Sequence, residues 1–118
     1  MLFMATTCED DDLTLTCDDY VVSLQALELD IQNLASTSVC TDDFECRSIA
    51  FGVQPCGSPR SYIVYSTSID TLLLANMVNV YNDIEQDFNA MCDVASDCVE
   101  PDEPIGFDCV DNACVPLF

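Results

Sequence analysis

The chain contains no histidine. Without an imidazole there is no Ser-His-Asp triad, no Cys-His dyad and no conventional histidine base. No two of its nine cysteines form a C-x-x-C pair, so the usual thiolate zinc spacing is missing, and there is no histidine to complete a mixed site. Basic residues are almost absent as well: only Arg47 and Arg60 stand against 22 acids, for a net charge of -20. Such a surface repels nucleic acid and anionic membranes, which excludes phosphate-reading roles. Apolar runs are short. Stretches such as Leu72-Leu73-Leu74-Ala75 fall far below the length needed to cross a bilayer.

What remains is a chain of 118 residues, 50% hydrophobic, which points to one globular domain with a modest core. The acids keep copies of the protein soluble and apart. Carboxylate-pair chemistry is formally open, yet so many acids make chance pairs inevitable, and a chain this small leaves little room for a sugar cleft. The chain is therefore not expected to be an enzyme, and no cofactor or metal is expected. Acidic clusters at Asp10–Asp12, Asp18-Asp19, Asp42-Asp43 and Asp108–Asp111 lack EF-hand spacing and its central glycine. They read as solvated loops, with a calcium-dependent adhesion module as a distant alternative.

Nine is an odd cysteine count, and in an exported protein the leftover thiol needs a role. Cys8 supplies one. It follows the apolar and then small run Met1-Leu2-Phe3-Met4-Ala5-Thr6-Thr7 and precedes the acidic block Glu9-Asp10-Asp11-Asp12. This junction resembles the end of a bacterial lipoprotein signal peptide, whose cysteine receives the lipid and becomes the first mature residue. The resemblance implies that residues 1–7 are a signal-peptide remnant, with a charged, apolar leader encoded upstream. Residues 8–17 become a lipid-anchored acidic tether and 18–118 a single domain. It further implies export to the outer membrane or cell surface, anchoring in the membrane, and a protein partner at the envelope. The other eight cysteines, Cys17, Cys40, Cys46, Cys56, Cys92, Cys98, Cys109 and Cys114, suffice for four disulfides in an oxidising compartment. Their connectivity is open, since eight cysteines allow 105 pairings.

Periodicity predicts two helices. The first spans about Tyr20 to Ala35, capped by Asp18 or Asp19, with the stripe Tyr20, Leu24, Leu27, Ile31 and Leu34, and ends at Ser36-Thr37-Ser38. The second spans about Asp70 to Met91, capped by Ser68 or Asp70, with the stripe Leu73, Met77, Val80, Tyr81, Ile84, Phe88 and Met91. The segment from Cys40 to Thr67 reads as irregular until Ser61–Ser66, a short strand rich in aromatic and β-branched residues. Gly106–Phe118 reads as a hairpin turning at Asp111-Asn112. That turn sets Cys109 opposite Cys114, either bonded to each other or each to a different partner. The fold class is thus α+β: two antiparallel amphipathic helices, a short central strand and a C-terminal β-hairpin, disulfide-stapled.

The sharpest local feature is Cys56-Gly57-Ser58-Pro59-Arg60-Ser61-Tyr62. Gly57, Ser58, Pro59 and Arg60 form a candidate interaction loop. A rigid, disulfide-flanked loop presenting an arginine suits a protease inhibitor, because pre-organisation supplies affinity. The segment faintly resembles Kazal inhibitors, although its tyrosine comes one residue early and the following cysteine is missing. Over roughly residues 40 to 115 the chain resembles short cysteine-rich bacterial lipoproteins with a C-G-G-P-x-x-Y-x-x-Y-S centre. Here that centre is Cys56 to Ser66, with Ser58 in place of a glycine, followed by Tyr81-Asn82, Ser96-Asp97-Cys98 and the pair Cys109 and Cys114. This resemblance implies fold and export and carries no activity. The function expected from the sequence is a non-enzymatic binding or accessory lipoprotein, with the Arg60 inhibitor as the alternative.

Overall fold

The computed structural model describes residues 15–118, so Cys8 and the acidic block after it lie outside the described residues. Two helices and two separate antiparallel hairpins follow in the order α1 (Cys17–Ser36), β1 (Cys46–Phe51), β2 (Ser61–Ser66), α2 (Thr71–Met91), β3 (Gly106–Val110) and β4 (Ala113–Leu117). This is an α+β arrangement.

α1 begins with a capping box. The Thr16 hydroxyl accepts from the Asp19 N–H at 3.1 Å, while the Asp19 carboxylate accepts from the Thr16 N–H at 2.9 Å. The cap is therefore Thr16, two or three residues before the expected Asp18 or Asp19. The far end is closed by hydroxyls: Ser36, Thr37 and Ser38 donate to the carbonyls of Asn33, Leu34 and Ala35. Those bonds add to the Thr37 and Ser38 backbone N–H groups, which donate to the Leu34 and Ala35 carbonyls, in satisfying the last turn. Asp70 caps α2, accepting from the Leu73 N–H at 3.0 Å.

The helices run in opposite directions. Cys17 at the start of α1 is bonded to Cys92 just past α2, and the Tyr20 hydroxyl donates to Met91 Sδ at 3.3 Å. At the other end, the Val39 N–H donates to Ser68 Oγ at 2.9 Å. The core between them is small: Leu24, Ile31 and Ala35 from α1, Leu74, Val78 and Tyr81 from α2, and Phe51 and Tyr65 from the first hairpin.

Two expectations need correction. The buried stripe of α2 is Leu74, Val78, Tyr81 and Glu85, whereas Leu73, Val80 and Met91 are exposed. Three consecutive leucines, 72 to 74, offer three helical phases, and packing on Phe51 and Tyr65 selects the one carrying an acid. The segment after Cys40 is also not wholly irregular, because β1 pairs along the full length of β2, from Cys46↔Ser66 to Phe51↔Ser61. β2 is accordingly one strand of a two-stranded sheet, and only Tyr65 and Ser66 of it are fully buried.

The second hairpin follows the expected register, with Val110 opposite Ala113 and Cys109 opposite Cys114. Asp111 and Asn112 take φ of 52° and 64°, both in the left-handed region. Two such residues make the I′ turn that matches strand twist, and Asp and Asn tolerate that region best after glycine.

Candidate functional site

The loop from Gly52 to Arg60 joins β1 to β2 and contains the candidate residues Gly57, Ser58, Pro59 and Arg60. Its organiser is Gln54, a buried amide. Gln54 Nε2 donates to the Pro59 carbonyl at 3.0 Å and the Val99 carbonyl at 2.8 Å, and Gln54 Oε1 accepts from Ser96 Oγ at 2.6 Å. Asn89 of α2 donates to the Val53 carbonyl at 2.7 Å, and the Cys56–Cys98 bond ties the loop to the segment after α2. Gly57 tops a turn at φ 100°, donating to the Gln54 carbonyl.

Arg60 turns toward α2. Its Nε meets both carboxylate oxygens of Glu85, at 3.1 and 3.0 Å, and its Nη2 donates to the Tyr81 hydroxyl. The guanidinium carbon lies 5.8 Å and 5.9 Å from the ring centres of Phe51 and Tyr81. Glu85 Oε1 also accepts from the Val53 N–H at 2.6 Å, and Asn82 Oδ1 accepts from the Gly52 N–H at 2.8 Å. Gly52 has φ +81°, and a Cβ placed there would sit 2.8 Å from Arg60 Nε. Glycine is thus required twice over, by the backbone and by the close approach.

The electrostatics agree with this packing. Burial pushes the Tyr81 hydroxyl up to about 12, helped by the Glu85 charge and opposed by Arg60. Burial of the Arg60 guanidinium works against its charge, but Glu85 and the Tyr81 oxygen outweigh it and hold the arginine above its ordinary value. Among the described residues, no buried side-chain nitrogen or oxygen lacks a hydrogen-bond partner. Sequence reasoning singled out Arg60 but missed Glu85, Gln54, Asn82 and Asn89. The one available signal was Glu85 standing four residues after Tyr81, on the same helical face as an otherwise apolar stripe.

All eight cysteines expected in crosslinks are paired: Cys17–Cys92, Cys40–Cys109, Cys46–Cys114 and Cys56–Cys98. Cys109 and Cys114, although opposite each other, take different partners. The second and third bonds lie side by side, with Cys40 Sγ and Cys46 Sγ 3.3 Å apart, and the sulfurs of Cys40, Cys46 and Cys114 all lie within 4.8 Å of one another. Among the described residues, the group formed by these three sulfurs includes no carboxylate. Asp19 is occupied in the α1 cap, Asp42 and Asp43 are exposed, and Asp10–Asp12 lie outside the described residues.

One concavity, of 260 Å³, lies between the β1–β2 loop and α2, and another lies elsewhere. An open, mainly apolar groove of 320 Å³ is lined by Tyr62 and Val64 of β2, Pro101, Asp102 and Pro104 of the loop before β3, and Pro116 and Phe118 at the end of the chain. Phe118 is 70% exposed, so a large apolar side chain of the groove stands in water. Asp102 supplies the groove's one acidic side chain, and its sequence neighbours Glu100 and Glu103 are exposed. Among the described residues, no helix is long and apolar enough to cross a membrane. Comparison with known proteins finds no matching family model, no matching curated protein and no matching solved structure.

Proposed function

We propose that the protein is a non-enzymatic binding lipoprotein of the bacterial outer membrane or cell surface. Its anchor is Cys8, and its ligand is a basic, apolar segment of a partner protein docked in the groove between β2 and the C-terminal hairpin. The observation that carries the binding role is that groove, where proline and aromatic walls, exposed Phe118 among them, meet the acid Asp102. Rigid apolar walls lose little entropy on contact, and the acid selects a cationic partner over an anionic one. A net charge of -20 adds long-range attraction of the same sign.

The geometry around Arg60 favours this reading over protease inhibition. A bait arginine must be free to enter a specificity pocket, whereas here the guanidinium is paired with Glu85 and bonded to Tyr81. Calcium-dependent adhesion has no comparable support.

The reading is tested in two parts. Cells expressing the full-length gene should incorporate labelled lipid at Cys8, and Cys8→Ser should release the protein from membranes. A free Cys8 thiol in protein taken from cells would sink the anchor. For the groove, a lysine-rich peptide with apolar residues should bind, and a glutamate-substituted copy should not. Tyr62→Ala and Phe118→Ala should each weaken binding while leaving the melting temperature unchanged. Equal binding of both peptides, or no effect of either substitution, would sink the docking site.

A further inference from the structure

Four of the eight paired sulfurs belong to one cluster, and their surroundings differ. Cys40 is 4% exposed, Cys46 and Cys114 are half-buried, and Cys109 is exposed. Cys109 is bonded to Cys40, the most buried of the four. Cys40 Sγ lies 3.3 Å from Cys46 Sγ, the sulfur of the other bond. The sulfurs of Cys40, Cys46 and Cys114 lie within 4.8 Å of one another, so a Cys40 thiolate released from Cys109 has Cys46 Sγ within reach. Cys109 and Cys114 face each other in the β3–β4 register. Opposed residues of an antiparallel pair have Cα atoms about 4.5–5.5 Å apart, which a disulfide spans. The same four sulfurs therefore admit a second pairing, Cys40–Cys46 with Cys109–Cys114.

We propose that Cys109 is a thiol-exchange site through which an external thiolate, from a small thiol or a protein dithiol, converts one pairing into the other. Disulfides do not exchange without an attacking thiolate, and no described cysteine is free to act as one. The external thiolate attacks exposed Cys109 Sγ, forming a mixed disulfide and expelling Cys40 as its thiolate. Cys40 then attacks Cys46 Sγ, closing Cys40–Cys46 and expelling the Cys114 thiolate. Cys114 finally attacks Cys109 Sγ in the mixed disulfide, closing Cys109–Cys114 and returning the external thiolate. Each of the three steps forms one S–S bond and breaks one. No net oxidation or reduction occurs, and the thiol acts as a catalyst.

The other two bonds lack this relay. Cys17 and Cys56 are exposed and open to attack, but among the described residues no third sulfur is found beside either pair, so the released thiolate only closes back. The structural consequence is specific. In the observed pairing the hairpin is tied to the loop after α1 and to β1, across separations of 69 and 68 residues. In the second pairing both bonds become local, and the hairpin keeps only non-covalent contacts, such as the Cys40 N–H to the Asn112 carbonyl at 2.7 Å. The inference goes beyond the binding role and does not depend on it.

The test uses oxidised full-length protein carrying Cys8→Ser, so that no ninth thiol contributes. It is incubated with 2-mercaptoethanol at substoichiometric amount, quenched in acid and mapped by peptide mass. Crosslinked peptides 40–109 and 46–114 should decline together, replaced in equal amounts by 40–46 and 109–114, while 17–92 and 56–98 persist. Hydrogen exchange of the product should show lost protection in β3 and β4 alone. In a Cys46→Ala, Cys114→Ala variant the relay has no acceptor, so Cys40 should close back on Cys109, the 40–109 crosslink should persist, and any trapped mercaptan should be found on Cys109. Unchanged pairing in the Cys8→Ser protein, scrambling that includes 17–92 or 56–98, or an adduct formed on Cys40 would overturn the proposal.

Discussion

Replacing Arg60 with alanine tests whether this arginine holds the fold or is offered to a partner. Two limits bracket the cost. An exposed ion pair contributes about 0–1 kcal/mol, whereas removing one member of a fully buried pair costs about 3–5 kcal/mol. Here the Arg60 side chain is 40% exposed and that of Glu85 only 9%, so the pair falls between. Glu85 keeps the Val53 N–H after the substitution, which limits the penalty, while Tyr81 loses its donor and two aromatic rings lose a cation. A destabilisation of ~1–3 kcal/mol is expected, discounted for solvent at the guanidinium. Urea unfolding of the oxidised protein at neutral pH, followed by far-ultraviolet circular dichroism, reads it directly. Glu85→Gln should cost less than Arg60→Ala, and the double variant less than the sum, because the two groups are in contact. Neither the native protein nor the variant should inhibit a trypsin-like protease. An Arg60→Ala protein within about 0.5 kcal/mol of the native form would refute the packing argument, since that is the ordinary range of surface substitutions.

Three further expectations follow from the same geometry. The Tyr81 hydroxyl is raised from 10.0 to about 12, so the folded state holds its proton more tightly than the unfolded chain. Stability from this group is complete below pH ~10 and is lost as pH rises toward 12, by up to ~2 kcal/mol; Tyr81→Phe should flatten that slope in urea midpoints measured from pH 8 to 11.5. Gly52→Ala should destabilise by ~1–3 kcal/mol through its left-handed backbone and its approach to Arg60, and combining it with Arg60→Ala should relieve part of the cost. Replacing both Cys17 and Cys92 by serine opens a link across 75 residues, for which chain entropy gives about 4 kcal/mol, and thermal melting of the oxidised variant should drop accordingly.

Much of this architecture was legible in the sequence because its signals are local. Asp70 before Leu72 marked a cap, the hydroxyl string 36 to 38 marked a helix end, and Asp111-Asn112 fixed the register of the second hairpin. β1 escaped notice because Ser48 and Ala50 blur its alternation, leaving Ile49 and Phe51 as the only strong signals on one face. Its pairing partner lies ten or more residues away, across a loop held by Gln54. On α2, Met77, Tyr81, Ile84 and Phe88 of the expected stripe do pack on the core, and the departure at Leu74, Val78 and Glu85 has a different reason. An apolar count rejects Glu85, and two groups from the loop before β2, Arg60 and the Val53 N–H, make a carboxylate tolerable there. Disulfide pairing was illegible in principle: Cys109 and Cys114 have the right mutual geometry and yet bond elsewhere, a choice set by how both hairpins and the segment after α1 come together. The groove went unseen because it joins β2 to the chain end across more than 50 residues.

The central claim is a small core held by four specific crosslinks, and the most direct measurement is peptide mapping of the protein isolated from an oxidising compartment. Acid quenching, alkylation and proteolysis without added thiol should yield the linked peptides 17–92, 40–109, 46–114 and 56–98. None of those eight cysteines should carry alkyl label. Labelled cysteines among them, or Cys17 or Cys56 joined to any other partner, would contradict the account.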